Sequence, residues 1–130
     1  MSEENVEIVR GAYAAFNRGD WDAVFRDADP EIKFTFEGAP NPGPHTGRQA
    51  AQARMEDALE AMDLSYVLDD LRESGEQVVA LIRVTARPKG TRAEIENRVG
   101  HVWSLRNGKV NSIHTYPKRE QALQAAGLSE

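Results

Sequence analysis

Apolar and polar positions along the chain change period several times, and each change marks an element. Val6, Val9, Tyr13 and Phe16 recur at steps of three and four, which predicts a helix over residues 3–17 with one apolar stripe. Ser2 is placed to cap it, and Glu3 and Glu4 fall in the first turn, where the helix dipole favours negative charge. Gly19 stops this helix, and Asp20 caps a short second one carrying Trp21, Val24 and Phe25. Asp29-Pro30 breaks it. The period then drops to two: Ile32, Phe34 and Phe36 alternate with Glu31, Lys33, Thr35 and Glu37, as in a strand with one buried face. Residues 38–47 hold three prolines and three glycines and read as a loop.

A third helix is expected from about Arg48 to Met62, with Ala51, Met55, Ala58, Leu59 and Met62 inward. Four strand-like runs follow: Leu64–Leu71, Gln77–Arg87, Ala93–Arg106 and Lys109–Tyr116. Turns at Ser74-Gly75, Lys89-Gly90 and Asn107-Gly108 separate them, and Asn-Gly between alternating runs is a strong hairpin signal. A last helix, Lys118–Ala126, ends at Gly127 with Leu128 placed for a C-cap contact. Helices first and a meander afterwards predict an α+β domain with helices on one face of a curved sheet. The run Val78–Ile82 is apolar on both faces. The helices cover one. The other, taken to carry Val78, Ala80, Ile82, Val84, Val102, Val110 and Tyr116, calls for a partner subunit, so a homodimer is expected.

The length of 130 residues suits one domain, 1–130, with enough chain for a core. No cysteine is present, which excludes disulfides, thiolate nucleophiles and cysteine–zinc sites. The net charge of −5 argues against a nucleic-acid surface. No apolar run approaches a membrane span, and the acidic start lacks a secretory pattern, so no membrane role and a cytoplasmic location are expected. The three histidines lack metal-ligand spacing, and residues 38–47 lack phosphate-loop spacing, so neither a metal nor a cofactor is expected.

Parity in the last hairpin puts His101, Trp103 and Leu105 on one face. His101 is therefore either a core histidine with one satisfied hydrogen bond or, in an apolar cavity, a general acid/base or oxyanion donor. Arg83 is expected on the same concave face with Leu81 and Thr85, where it needs an anion from protein or ligand. Tyr13, Trp21, Phe34, Phe36, Met55, Leu59 and Trp103 read as core and pocket wall together, implying a flat or greasy ligand. His45 lies in the Pro/Gly loop, solvated or closing over the pocket mouth. His114 falls on the opposite face by parity.

Several segments carry a resemblance. Tyr13–Val24, Asp29-Pro30-Glu31-Ile32, His101–Val110 and the ending Ala122–Leu128 are similar to those of SnoaL-like proteins, of actinobacterial type, in the nuclear transport factor 2-like superfamily. The resemblance implies a cone: a barrel-like curved antiparallel sheet, three helices of the N-terminal half on its concave face, and a short C-terminal helix. It also implies a small-molecule pocket, with isomerase, cyclase, epoxide hydrolase, dehydratase and non-catalytic members.

Against the ketosteroid isomerase pattern, Ala12 stands where a helix-one tyrosine belongs, with Tyr13 one step off. Phe34 replaces the base, and His101 replaces the protonated aspartate. Against the limonene-epoxide-hydrolase pattern, Arg83-Val84-Thr85 keeps the arginine with threonine for aspartate, and Thr115 stands for the second aspartate. The resulting expectation is a small-molecule-binding protein, if catalytic an isomerase, cyclase or dehydratase for a polyketide-, terpene- or steroid-like compound. His101 and Arg83 would be its catalytic residues. Tyr13, Phe34, Met55, Leu59, Thr85, Trp103 and Thr115 would bind substrate. The alternative is a non-catalytic binding or dimerisation module with a self-filled pocket.

Overall fold

A computed structural model describes residues 2–128. Helix α1 (Ser2–Asn17) is followed by α2 (Trp21–Val24), β1 (Ala28–Phe36), β2 (His45–Thr46) and α3 (Arg48–Ala61). Then come β3 (Met62–Ser74), β4 (Gln77–Pro88), β5 (Ile95–Arg106), β6 (Lys109–Tyr116) and α4 (Arg119–Ala125). The Ser2 side chain, expected as a cap, lies outside the described residues.

The strands form one six-stranded curved sheet in the order β2-β1-β6-β5-β4-β3. From β6 to β3 every pairing is antiparallel, but β1 joins β6 in parallel, so the sheet is mixed. Three boundaries also differ from the expectation. β1 starts at Ala28 and runs through Pro30, which lies at the strand's start, where an absent N–H is tolerated. Met62 opens β3 in an extended conformation and does not end α3. The Pro/Gly loop contributes the two-residue edge strand β2, with His45 opposite Phe34.

Local chemistry explains the stops. The Asp20 N–H bonds the Ala15 carbonyl and that of Gly19 the Phe16 carbonyl, with Gly19 at φ 73°, so α1 closes in a Schellman motif. Asp20 then accepts from the Ala23 N–H and starts α2. The same motif ends α4: the Leu128 N–H bonds the Leu123 carbonyl, and Leu128 packs on the adjoining core. Asn107 and Gly108 both have positive φ, as a type I′ hairpin turn requires.

The sheet has apolar side chains on both faces. On the concave face, Val9, Ala12 and Tyr13 of α1 pack with Ile32, Phe34, Val78, Ala80, Ile82, Trp103, Leu105, Val110 and Ile113. On the outer face, Val79, Leu81 and Val102 are covered by Ala122 and Leu123 of α4 and by Ala126 just past its end, with Tyr116 beside them. This corrects the expected placement. Val78, Ala80, Ile82, Val84 and Val110 belong to the concave core, and the outer apolar residues are covered by the chain's own last helix. Gly100 permits that cover, since a Cβ there would stand 2.5 Å from the Ala122 Cβ.

Candidate functional site

Three side chains form a hydrogen-bonded line across the concave core. The Trp103 indole N–H donates to the Tyr13 hydroxyl at 2.8 Å, and that hydroxyl lies 2.6 Å from His101 Nδ1. All three residues are buried. An indole nitrogen only donates, so the Tyr13 oxygen accepts from Trp103 and its own proton goes to Nδ1. The reverse tautomer would leave the tyrosine proton without an acceptor. The neutral imidazole therefore carries its proton on Nε2, an assignment made from the hydrogen-bond network. Burial holds the His101 pKa down to about 4, so the ring is neutral near pH 7. Burial likewise pushes the Tyr13 hydroxyl well above the ordinary tyrosine value. Tyr13 serves as a donor, not as a phenolate.

This line borders a cavity of about 390 Å³. Tyr13, Phe34, Met55, His101, Trp103 and Thr115 line it, as do Phe25, Ile32, Tyr66, Val110 and Ile113. The exposed Glu4, Glu7, Arg18 and Arg26, with half-buried Asp27, mark where the cavity meets solvent. Thr115 sits opposite His101 in the β5–β6 ladder, and its hydroxyl reaches the Thr35 carbonyl at 3.3 Å. Among the described residues His101 is a buried histidine in largely apolar walls, and its Nε2–H has no hydrogen-bond partner in the chain.

Three expected site residues are elsewhere. Arg83 lies on the outer face, where it and Arg119 of α4 grip Asp69, at 2.9 Å and 2.6 Å respectively. These arginines hold the Asp69 carboxyl below its ordinary pKa. Thr85 shares Arg83's parity and its outer face. Leu59 is half-buried on α3 and does not line the cavity. The expected Arg-x-Thr counterpart of a water-activating set is therefore not in the pocket. Tyr13 is inside the cavity wall, with its hydroxyl directly against His101.

Tyr66 is the residue that sequence reading passed over. It lines the cavity beside the rings of Tyr13, at 5.8 Å, and His101, at 5.9 Å between centroids. Burial raises its pKa to about 12. The Asn17 side chain at the end of α1 fixes its backbone, donating to the Tyr66 carbonyl at 2.8 Å and accepting from the Tyr66 N–H at 2.9 Å. The signal was present in Leu64, Tyr66 and Leu68, which alternate with Ser65, Val67 and Asp69.

His45 bonds the Asn41 carbonyl within its own loop, and His114 pairs with Glu37 at 2.8 Å. Neither lines the cavity. Among the described residues no group of three or more histidines and carboxylates stands close enough to share an ion. Among the described residues no helix is long and apolar enough to cross a membrane.

The SnoaL-like domain family matches residues 9–113. A nuclear transport factor 2-like protein from Burkholderia xenovorans LB400 is 31% identical, with 95% of each chain covered and a TM-score of 0.76. One from Burkholderia pseudomallei K96243, of unknown function, is 22% identical, with 93% of this chain and 95% of that chain covered and a TM-score of 0.81. TerC, co-crystallised with polyporic acid, is 14% identical, with 95% and 98% covered and a TM-score of 0.81. No curated protein matches. With the cone-like sheet, the helices on its concave face and the family match over most of its length, this chain is a member of the SnoaL-like domain family with the nuclear transport factor 2-like fold.

Proposed function

We propose that this chain binds a flat, largely apolar small molecule in its cavity and catalyses a proton transfer on it: isomerisation, cyclisation or dehydration. The carrying observation is the Trp103–Tyr13–His101 line, which occupies Nδ1 and leaves one neutral N–H donor on a residue that lines an apolar cavity of about 390 Å³. A polyketide-, terpene- or steroid-like ketone suits such walls. His101 Nε2–H would hydrogen-bond its oxygen and stabilise the negative charge that develops as a neighbouring carbon gives its proton to the carboxylate of Asp27, which also lines the cavity. The neutral ring makes His101 an electrophile and proton donor, not an imidazolium. TerC, a structural neighbour crystallised with polyporic acid, supports the small-molecule part of this reading. The rival, a module filled by its own side chains, requires a packed cone, and the cavity volume is the observation against it. The homodimer expected from the sequence loses the motive given for it, since Val78, Ala80, Ile82, Val84 and Val110 pack in the concave core and Val102 and Tyr116 pack with α4.

The test is deuterium exchange next to a carbonyl. The protein is incubated in D₂O with a β,γ-unsaturated steroidal ketone, an anthrone and a cyclic terpenoid ketone, while tryptophan fluorescence reports binding. Accelerated exchange with at least one of them is expected, falling about 100-fold in His101→Ala. Binding without accelerated exchange overturns the catalytic half of the reading. No binding overturns both halves.

A further inference from the structure

Eight of the ten glycines have positive φ, a conformation that favours glycine. A ninth, Gly100, is held by lack of space, since a Cβ there would meet Ala122. Gly11 has neither reason. It lies inside α1 without a positive φ, and a Cβ built on it would find no atom within 4 Å beyond its own helix backbone and its chain neighbours. Glycine is the poorest helix former after proline, so Gly11 weakens α1 without relieving any contact in the chain.

Gly11 lines the cavity that His101 borders. It belongs to an exposed row of α1, with Glu4, Glu7 and Arg18 at steps of three, four and seven, where the cavity meets solvent. Glu7 pairs with Arg10 at 3.6 Å, and Arg18 with Asp20 at 3.3 Å. Between these charges the row has no side chain at position 11. The same cavity is lined at its buried end by His101, which is 7% exposed and whose Nε2–H has no partner in the chain. One cavity thus has an unanswered donor at its buried end and a missing side chain at its mouth. Close approach of a ligand to the backbone is the remaining use of a glycine in such a place.

We propose that Gly11 sets the specificity of the cavity mouth, and that the ligand is a fused multi-ring ketone long enough to leave the buried end and lie against the Gly11 backbone. The proposal rests on the reading of the cavity as a small-molecule site. It selects the long ring systems, over single-ring terpenoids, from the compounds that suit the walls. With its oxygen on His101, such a ligand fills the buried end with its first rings. Its last ring takes the space that a side chain at position 11 would occupy.

The probes are β-tetralone, with two fused rings, and progesterone, with four, titrated by tryptophan fluorescence and followed in stopped flow. The wild-type protein binds both. Gly11→Leu weakens progesterone about tenfold or more and leaves the β-tetralone affinity unchanged. Gly11→Ala is the second variant. It weakens progesterone by less, keeps β-tetralone and raises the thermal midpoint, as replacement of an exposed mid-helix glycine does. Progesterone affinity that survives Gly11→Leu overturns the assignment. So does an equal loss of both probes in both variants, which would place the effect in the fold. Slower association and dissociation of both probes at unchanged affinity also overturns it, since Gly11 would then be a passage and not a contact. Wild-type binding of β-tetralone alone overturns the long ligand and keeps the small-molecule site. If neither probe binds, the small-molecule reading falls and the role of Gly11 with it.

Discussion

Tyr13 and His101 are 88 positions apart in the chain, yet the tyrosine hydroxyl lies 2.6 Å from the histidine Nδ1. The contact joins the helix that covers the cone to the strand at its centre, and the Trp103 indole supports it from behind. A single hydroxyl thus satisfies two buried partners and sets the tautomer of the ring that borders the cavity. Tyr13→Phe removes it and leaves both partners unpaired. The expected cost is about 1–3 kcal/mol for each buried group so orphaned, read as a lower denaturant midpoint. Nitrogen NMR of the imidazole should show the Nε2–H tautomer in the wild type. A wild-type Nδ1–H tautomer would be incompatible with the proposed line.

The burial of His101 also makes stability depend on pH. Its pKa falls from 6.5 to about 4 on folding, so between those values the unfolded chain binds more protons than the folded one. Stability is therefore greatest above about 6.5 and is lost as pH falls toward 4, by at most about 3 kcal/mol. The lowered carboxyls of Asp63 and Asp69 work in the same direction, but only below the ordinary carboxylate pKa of 3.8. Denaturation at a series of pH values should show this slope, and His101→Gln should flatten it between pH 4 and 6.5.

Arg83 and Ile82 are neighbours on β4 with opposite fates. Arg83→Met should leave ligand affinity and turnover unchanged, because the side chain grips Asp69 on the outer face. The loss in stability should be small, since the pair is partly exposed. Ile82 is fully buried in the concave core. Ile82→Lys places an unpaired charge there and should cost more than about 3 kcal/mol. A stable, soluble Ile82→Lys chain would contradict this placement of β4.

Gly100 holds α4 against the sheet. Its backbone lies close to Ala122, and Gly100→Ala would bring two Cβ atoms within 2.5 Å unless the helix lifts. Overpacking of this kind costs about 1–3 kcal/mol. Hydrogen exchange should quicken in residues 119–126 while the α1 amides stay protected. Uniform quickening would mean that α4 and the cavity form one cooperative unit.

Much of this was legible before any coordinates. The stops at Gly19 and Gly127, the Asp20 cap, the Asn107-Gly108 turn and the shared face of His101 and Trp103 depend on side chains within a few residues of one another. A polar–apolar alternation on β1 and β5 also states which face is buried. On β4 it does not. Val78–Ile82 is apolar throughout, so a side-chain period of two is present without a label for either face. Assigning Arg83 to the pocket and Ile82 to an outer interface was an error of that one parity.

The chain's own pattern determined the elements, their caps, the hairpin and the aromatic character of the concave wall, because local backbone preferences and periodic burial act over short distances. Only the tertiary structure decided the β4 face, through a register that pairs Ala80 with His101 and so turns Ala80 inward and Arg83 outward. It also decided the parallel β1–β6 pairing, the cover of the outer face by α4, and the meetings of Tyr13 with His101 and of Arg54 with the Phe36 ring. Those contacts join residues that no local rule links. They form because a curved sheet brings distant strands and helices around one cavity, where each buried polar group needs a partner.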